Sequence, residues 1–499
     1  MTERALGIMC RPVQHPASEE TIIAIRADTL LRQGLPMPQR YLAIAAICLG
    51  TVLTVIDGAI ATVALPTIAR DLNVDGSAAV LVVTVYQLVL VMTLLPFSAL
   101  GDRIGLKKVY QGGQLVFTIA TILCFFARSL PFLLVVRAFQ AVGAAAALSV
   151  MSALIRMIYP PEQLGRGLGI NSVVVSISAA LAPTAGGLIL GFAPWPWLFA
   201  LGAPFALLSI WLGRAGLPDV PAQPGEYNLA GAMLNMATFG LVIAGLEALV
   251  HGSSPVVSLA IVGTGAVFGV LLVRHERSEA APILPVDLLA RPVLALSTAG
   301  ALLAFVASMM LILSLPFRLQ HAYGIGPSEV GAMIAPWPLT MMVVAPTAGA
   351  LSDRYPAGLL GGIGMAIATL AMLLLADLPD HPTYLDMAWR MVLGGVGFGL
   401  FLSPNARLIV GSAPRERAAS AGGLISTTRL TGQTLGATAV ATLLALNLGT
   451  SSAPPLIAAG LTLVAGLFSL ARLRPAIRNP VRDEAESALP GAQGCGNVS

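Results

Sequence analysis

Six ionisable side chains stand inside long apolar stretches of the sequence: the acids Asp57 and Glu247 and the arginines Arg137, Arg390, Arg407 and Arg429. Charge in such surroundings is costly and usually tied to function. Asp57 lies nine residues before Pro66, about 13 Å along a helix. A carboxyl at that depth can hold a proton, and when ionised it attracts a cation, so one group can couple inward proton flow to the exit of a solute. The competing assignment is a structural carboxyl paired permanently with a membrane arginine. A guanidinium such as Arg137 needs carboxylate or carbonyl partners and can tune when a neighbouring acid takes its proton; near the outer end of its run it could instead snorkel to the interface. Glu247 sits close to the end of its run at His251, where interfacial solvation is expected. Contact with substrate or service in a relay is the alternative for Glu247, as it is for Thr62, Gln140, Arg390 and Arg429.

Other chemistries find no support. Gly395-Val-Gly397-Phe-Gly399 has the look of a nucleotide loop, but it lies inside an apolar run without a lysine, so small-residue helix packing is the better reading. The five histidines form no zinc-binding pair, no Gly-x-Ser-x-Gly elbow occurs, and the four cysteines have no metal-ligand or CxxC spacing. No metal, no cofactor and no enzymatic activity are therefore expected. A net charge of +4 does not point to nucleic acid, because in such a chain the placement of charge outweighs its sum.

These side chains must be held by elements that suit a very apolar chain. Of 499 residues only 10% are charged and 56% are hydrophobic, whereas a soluble chain carries roughly 25% charge. An all-α protein embedded in the lipid bilayer is expected. Fourteen apolar runs of spanning length can be marked, near 41–66, 78–100, 110–128, 132–157, 167–191, 195–213, 229–250, 256–273, 294–316, 332–351, 359–376, 387–410, 421–447 and 455–472. With both termini cytoplasmic, 21 basic residues fall inside and only Arg70, Arg128 and Arg318 outside, the positive-inside pattern. Trp195, Trp197 and Trp389 then fall at the outer interface, as an aromatic belt would.

The chain also repeats itself. Pro66 and Pro316 close corresponding runs 250 residues apart, SALGDR at 98–103 matches GALSDR at 349–354, Arg137 and Arg390 open runs 253 apart, and Glu162 and Glu416 lie 254 apart. Four landmarks in one order at nearly one offset predict two six-helix halves, 41–213 and 294–472, with residues 214–293 as a linker holding two extra spans, and cytoplasmic tails at 1–40 and 473–499.

The loop Ser98-Ala-Leu-Gly-Asp102-Arg103-Ile-Gly105-Leu-Lys107-Lys108 resembles the cytoplasmic signature of the major facilitator superfamily, with Ser98 and Leu106 departing from it. The resemblance implies a gate in which Asp102, Arg103, Gly105 and Lys107 latch the cytoplasmic side against the opposite half, with Asp353 and Arg354 as a second copy. Val55-Ile-Asp57 through Thr62-Val-Ala-Leu-Pro66 resembles an element of the fourteen-span drug:proton antiporters, with Ala59 and Thr62 departing. Arg137-Ala-Phe-Gln140 resembles the superfamily's Arg-x-x-Gln element, and Ala182-Pro183-Thr-Ala-Gly186-Gly187 the Gly-Pro-x-x-Gly-Gly element associated with antiport. The Arg429 stretch, Ser426-Thr-Thr-Arg429-Leu-Thr-Gly432-Gln433, is similar to the same exporters. The family implies a major facilitator fold in the cell inner membrane, acting as a monomer, with Asp57 and Arg137 coupling protons to the export of amphipathic, cationic drugs or toxic compounds. A dedicated exporter of a metabolite or antibiotic, or a proton symporter, would share the fold.

Overall fold

The computed structural model describes residues 34–160, 163–219, 227–250, 252, 254–277, 279, 289–352, 354–412 and 418–473, and all regular structure among them is helical. The helices are α1 Met37–Asp71, α2 Gly76–Ile104, α3 Leu106–Phe125, α4 Leu130–Ile158, α5 Leu164–Phe192, α6 Pro196–Gly216, α7 Leu229–Val250, α8 Pro255–Glu276, α9 Pro292–Ala322, α10 Pro327–Leu351, α11 Ala357–Ala376, α12 Tyr384–Ser412, α13 Ala418–Ala445 and α14 Ala453–Ala471. Prolines stand in the first turn of α4, α8, α9, α10 and α14, where a missing N–H costs nothing. The 35 residues of α1 make a rod of about 52 Å, longer than the ~30 Å hydrocarbon core.

Twelve of these segments are long and apolar enough to cross a membrane. The count differs from the fourteen expected because α3 opens on Lys107 and Lys108 and carries Gln111 and Gln114, while α13 holds Arg429 and Gln433 among serines and threonines. The protein is a multi-pass membrane protein.

Helix pairing is duplicated along the chain. In the first six helices α4 packs on α2 and α3, α6 on α3, and α1 on α5 and α6; in the last six, α12 packs on α10 and α11, α14 on α11, and α9 on α13 and α14. The groups meet through α2 on α13 and α5 on α10, contacts that exchange under the same correspondence, while α7 leans on α2, α13 and α8. The tightest approaches are duplicated too. A Cβ placed on Gly113 would lie 2.7 Å from the Gly143 carbonyl oxygen, and one on Gly364 would lie 2.6 Å from that of Gly397. Gly395 is likewise pressed against the Trp337 carbonyl and Gly399 against Val344, so the Gly395–Gly399 run is a helix-packing surface. Gly397→Ala should overpack this contact and cost about 1–3 kcal/mol. A thermal midpoint for the purified variant equal to the parent's would refute that.

Apolar packing joins the two groups chiefly at one end, with Leu430 of α13 also packed among Tyr86, Leu90 and Leu94 of α2. A single cluster combines Ile60, Leu65 and Ile68 of α1, Val80 and Val83 of α2, Phe199 of α6, Met309, Leu313 and Phe317 of α9, and Val440 and Ala441 of α13. At the end where the chain's described termini lie, the clusters stay within one group: Ile47, Tyr110, Val150 and Leu154 in the first, Leu294 and Ile409 in the second. The molecule is therefore sealed at the end opposite its termini and divided at the other. Trp195 belongs to the sealed core at 4% exposure, whereas Trp197 and Trp389 are exposed at 44% and 46%. The expected aromatic belt thus loses Trp195, whose ring packs edge-on against Phe199.

Candidate functional site

Three long helices converge on one buried polar knot in the first half. Arg137 and Gln140 stand three residues apart on α4 and so share a face, and that face meets Asp57 of α1. Arg137 Nη1 donates to Asp57 Oδ2 at 2.6 Å and to Gln140 Oε1 at 2.6 Å. Gln140 Nε2 donates to Asp57 Oδ1 at 2.9 Å and to Thr121 Oγ1 of α3 at 2.9 Å. Arg137 Nε reaches the Val82 carbonyl of α2 at 3.4 Å, and the guanidinium lies over the rings of Tyr86 and Phe199, 4.2 and 5.2 Å from their centroids. Arg137 is wholly buried and Asp57 8% exposed, so the arginine does not snorkel to the interface.

Each carboxylate oxygen thus accepts from one donor, Arg137 at Oδ2 and Gln140 at Oδ1. The network is compact yet incomplete: Arg137 Nη2 is buried without a hydrogen-bond partner. Beside Asp57, a side chain at Gly58 would meet nothing within 4 Å, which leaves an opening next to the acid. Protonating Asp57 cancels its charge and leaves the Arg137 charge uncompensated in a low-dielectric site, so the pair is an element whose two protonation states favour different surroundings.

The gate loop lies at the divided end. Gly105 has φ of 105°, a conformation that side chains resist, and it turns α2 directly into α3. Lys107 Nζ caps the α6 C-terminus by donating to the Arg214 carbonyl at 3.1 Å. Asp102 is exposed, with Arg103 as the neighbouring charge; among the described residues no hydrogen bond or ion pair joins Asp102 to the second half. Asp353 lies outside the described residues, and Arg354 is exposed. Arg407 Nη1 holds the end of α10 by donating to the Gly349 carbonyl at 3.2 Å and to Ser352 Oγ at 3.0 Å.

The Pro183-Gly186-Gly187 element sits in the seam between halves. A Cβ on Gly186 would lie 2.7 Å from Ile60 of α1, and one on Gly187 2.6 Å from the Pro327 carbonyl of α10; a Cβ on Gly331 would collide with the Pro183 carbonyl.

Other expected residues fall elsewhere. Thr62 turns its hydroxyl back to the Ala59 carbonyl at 2.7 Å. Glu247 is not solvated at the interface as expected: it is buried against α13, accepting from Thr438 Oγ1 at 2.7 Å, because α7 lies on α13 instead of standing apart. Arg390 stays at the rim of its half, bonded to the Leu374 carbonyl at 3.1 Å, paired with Asp386 at 3.6 Å, and set over the Trp389 ring. Arg429 is half-buried on α13.

Tyr86, Thr121 and Phe199 complete the knot, and of these Tyr86 and Thr121 were not singled out in the sequence. Neither was a second buried cluster, in which Arg472 donates to Ser297 Oγ at 2.7 Å, to Asn405 Oδ1 at 2.5 Å and to Ser469 Oγ at 2.6 Å. Asn405 was its available signal, a lone amide in an apolar run.

The sequence matches the Major Facilitator Superfamily profile over residues 47–437 and again over 297–493. The chain belongs to the major facilitator superfamily. Within it, the chain is 43% identical over 413 residues to the uncharacterized transporter YebQ of Escherichia coli (strain K12), covering 82% of this chain and 90% of that one. It is 30% identical over 423 residues to the multidrug resistance protein Stp of Mycobacterium tuberculosis (strain CDC 1551 / Oshkosh), covering 84% and 78%. The crystal structure of peptide transporter POT in complex with sulfate superposes with a TM-score of 0.67 at 18% identity over 90% of this chain and 98% of that one. In this major facilitator the two six-helix groups meet through α2 on α13 and α5 on α10, and the Asp57 knot lies inside the first of them.

Proposed function

We propose that this membrane transporter is a proton-coupled antiporter that exports amphipathic drugs or toxic compounds across the cell inner membrane by alternating access, working as a monomer with both termini cytoplasmic. In this reading α3 and α13 count as spans, bringing the total to fourteen, residues 41–213 and 294–472 are the two moving halves, and residues 214–293 carry the linker pair α7 and α8.

The observation that carries the reading is the Asp57–Arg137–Gln140 knot: an acid and a base paired at 2.6 Å inside the membrane, within one residue of open space at Gly58. With the pair intact, both charges are satisfied and the cytoplasmic side stands open for cargo. A proton arriving from outside neutralises Asp57, frees Arg137 to repel or rearrange, and biases the helices toward the other packing. Export direction is supported by the Gly186-Gly187 element in the seam and by the similarity to Stp, a multidrug resistance protein.

Energised everted vesicles test this. Adding a transported amphipathic compound should release protons from the vesicle lumen in proportion to compound taken up, and vesicles lacking the chain should release none. Uptake without proton release would refute antiport.

A further inference from the structure

The other arginines that lie inside or cap the described helices of the second half have partners, while Arg354, in the turn after α10, is exposed. Arg318 caps α11 through the Leu375 and Ala376 carbonyls, Arg390 has Asp386, Arg407 has Gly349 and Ser352, and Arg472 has Ser297, Asn405 and Ser469. Arg429 has none: among the described residues it makes no hydrogen bond, ion pair or ring contact, and neither does Gln433 one turn further on. It lies in the interior of α13, a helix that runs from Ala418 to Ala445, where a guanidinium without an anion or a donor-accepting group is costly.

The direction of this side chain follows from the faces of α13 that are already taken. Leu430 packs among Tyr86, Leu90 and Leu94 of α2. Thr438 reaches Glu247 of α7, and Gly432 and Gly436 lie against Leu302, Val306 and Met309 of α9. Residues 422, 426, 429 and 433 recur at spacings of four, three and four, so they share the remaining face. That face looks between α2 of one half and α9 of the other, on the side away from α7. Seven residues beyond Gln433 on the same face, Val440 is fully buried in the cluster that seals the halves. The strip therefore lies in the space between halves, just below the sealed end.

The charge of Asp57 is already paired with Arg137, and among the described residues no hydrogen bond or ion pair joins it to Arg429. The uncompensated charge facing the cavity is thus positive, the reverse of what an isolated Asp57 in the sequence suggests. A guanidinium with an amide one turn away presents a fork of N–H donors matched to an oxyanion and repels a cation.

We infer that Arg429 and Gln433 form the subsite for the acidic head group of the exported compound, so that the cargo is an amphipathic organic acid or zwitterion with a carboxylate or a similar oxyanion. This rests on the reading of the space between halves as the cargo site of an exporter. When the cavity closes around such cargo, the oxyanion supplies the counter-charge that α13 lacks.

The test uses the full chain in detergent and a panel of aromatic amphiphiles in matched triplets: naphthaleneacetate, naphthaleneacetamide and a naphthylalkyl trimethylammonium, with larger ring systems carrying the same three heads. Binding is read by tryptophan fluorescence and thermal shift. Acids should bind roughly tenfold more tightly than their amides, the ammonium members weakest. Arg429→Gln should erase the acid preference while leaving amide binding in place, and Arg429→Lys should keep part of it. Gln433→Leu, which removes no charge, guards against a misfolded arginine variant and should reduce the preference severalfold. An absence of acids among the binders, or an acid preference that survives Arg429→Gln, would overturn the inference. So would an effect of Arg429→Gln only on the dependence of thermal stability on added phosphatidylglycerol, which would assign the arginine to a lipid phosphate. Head-group preference needs no proton gradient, so a failed antiport assay and a failed acid preference are separate results.

Discussion

Asp57→Asn should abolish substrate-dependent proton release and also destabilise the protein, and adding Arg137→Gln to the same chain should restore much of the stability without restoring the coupling. The pair is bonded at 2.6 Å with the arginine wholly buried. Removing one member of such a pair leaves the other charge buried without compensation, which costs about 3–5 kcal/mol. Asparagine retains an oxygen to accept from Arg137 and an amide geometry that Gln140 can meet, so the loss should fall at the lower end of that range. The double variant carries neither charge, and its two amides can bond each other within the same volume, so most of the loss should return. Coupling follows a different rule. If Asp57 only anchors α1 to α4, the neutral pair serves as well, and the double variant will release protons on adding substrate. If Asp57 is the group that takes and yields the proton, the double variant will be stable, present at parental levels, and silent in everted vesicles. Parental rates of proton release from the double variant would sink the proton assignment, and the thermal midpoints of the three variants would show whether the structural half of the argument stands.

That pairing shows where sequence stops. Asp57, Arg137 and Gln140 could each be named from residue type and the apolar run around them, because hydrocarbon makes a lone charge conspicuous. Their meeting could not, since the contact spans 80 residues of chain and depends on how far α1 is rotated about its axis. Tyr86 and Thr121 were invisible for a related reason: tyrosine and threonine are ordinary in membrane helices, and only the interhelical geometry turns them toward the knot. Repetition within the chain was legible and anticipated the duplicated helix pairs, but it does not extend to the ion pair. The residue 250 positions after Asp57 is Ala307, so the second half offers Arg390 no acid on α9, and it turns instead to Asp386 and a helix-end carbonyl. Two symmetric frames thus carry one asymmetric ion pair. Arg472 was read as one more cytoplasmic charge because it ends an apolar run; the serines and the asparagine that bury it come from α9, α12 and α14, and no local pattern links them.

Gly187→Val and Gly331→Val should weaken the sealed end selectively and shift the transporter toward its other conformation. The seam between α5 and α10 is a backbone-to-backbone contact: a Cβ on Gly187 would sit 2.6 Å from the Pro327 carbonyl oxygen, and one on Gly331 would strike the Pro183 carbonyl. Carbonyls in a helix cannot swing aside as a side-chain tip can, so relief must come from moving the helices apart. Overpacking of this kind costs about 1–3 kcal/mol, and because the strain falls on a contact specific to one conformation, it becomes a bias of roughly 5- to 150-fold against that conformation. Spin labels at Phe192 and Glu329, exposed positions beside the seam, would report this as a longer-distance component absent from the parent. Gly460→Val is the control, since a Cβ there meets nothing within 4 Å; it should leave both distance and stability unchanged. If the valines at 187 and 331 lower the thermal midpoint while the label distance stays as in the parent, the seam is a fixed weld and the halves must alternate about some other contact. If the distance lengthens while Gly460→Val is silent, then glycine at these two positions is what lets the sealed end close, because only a residue without a side chain allows two helix backbones to touch there and part again.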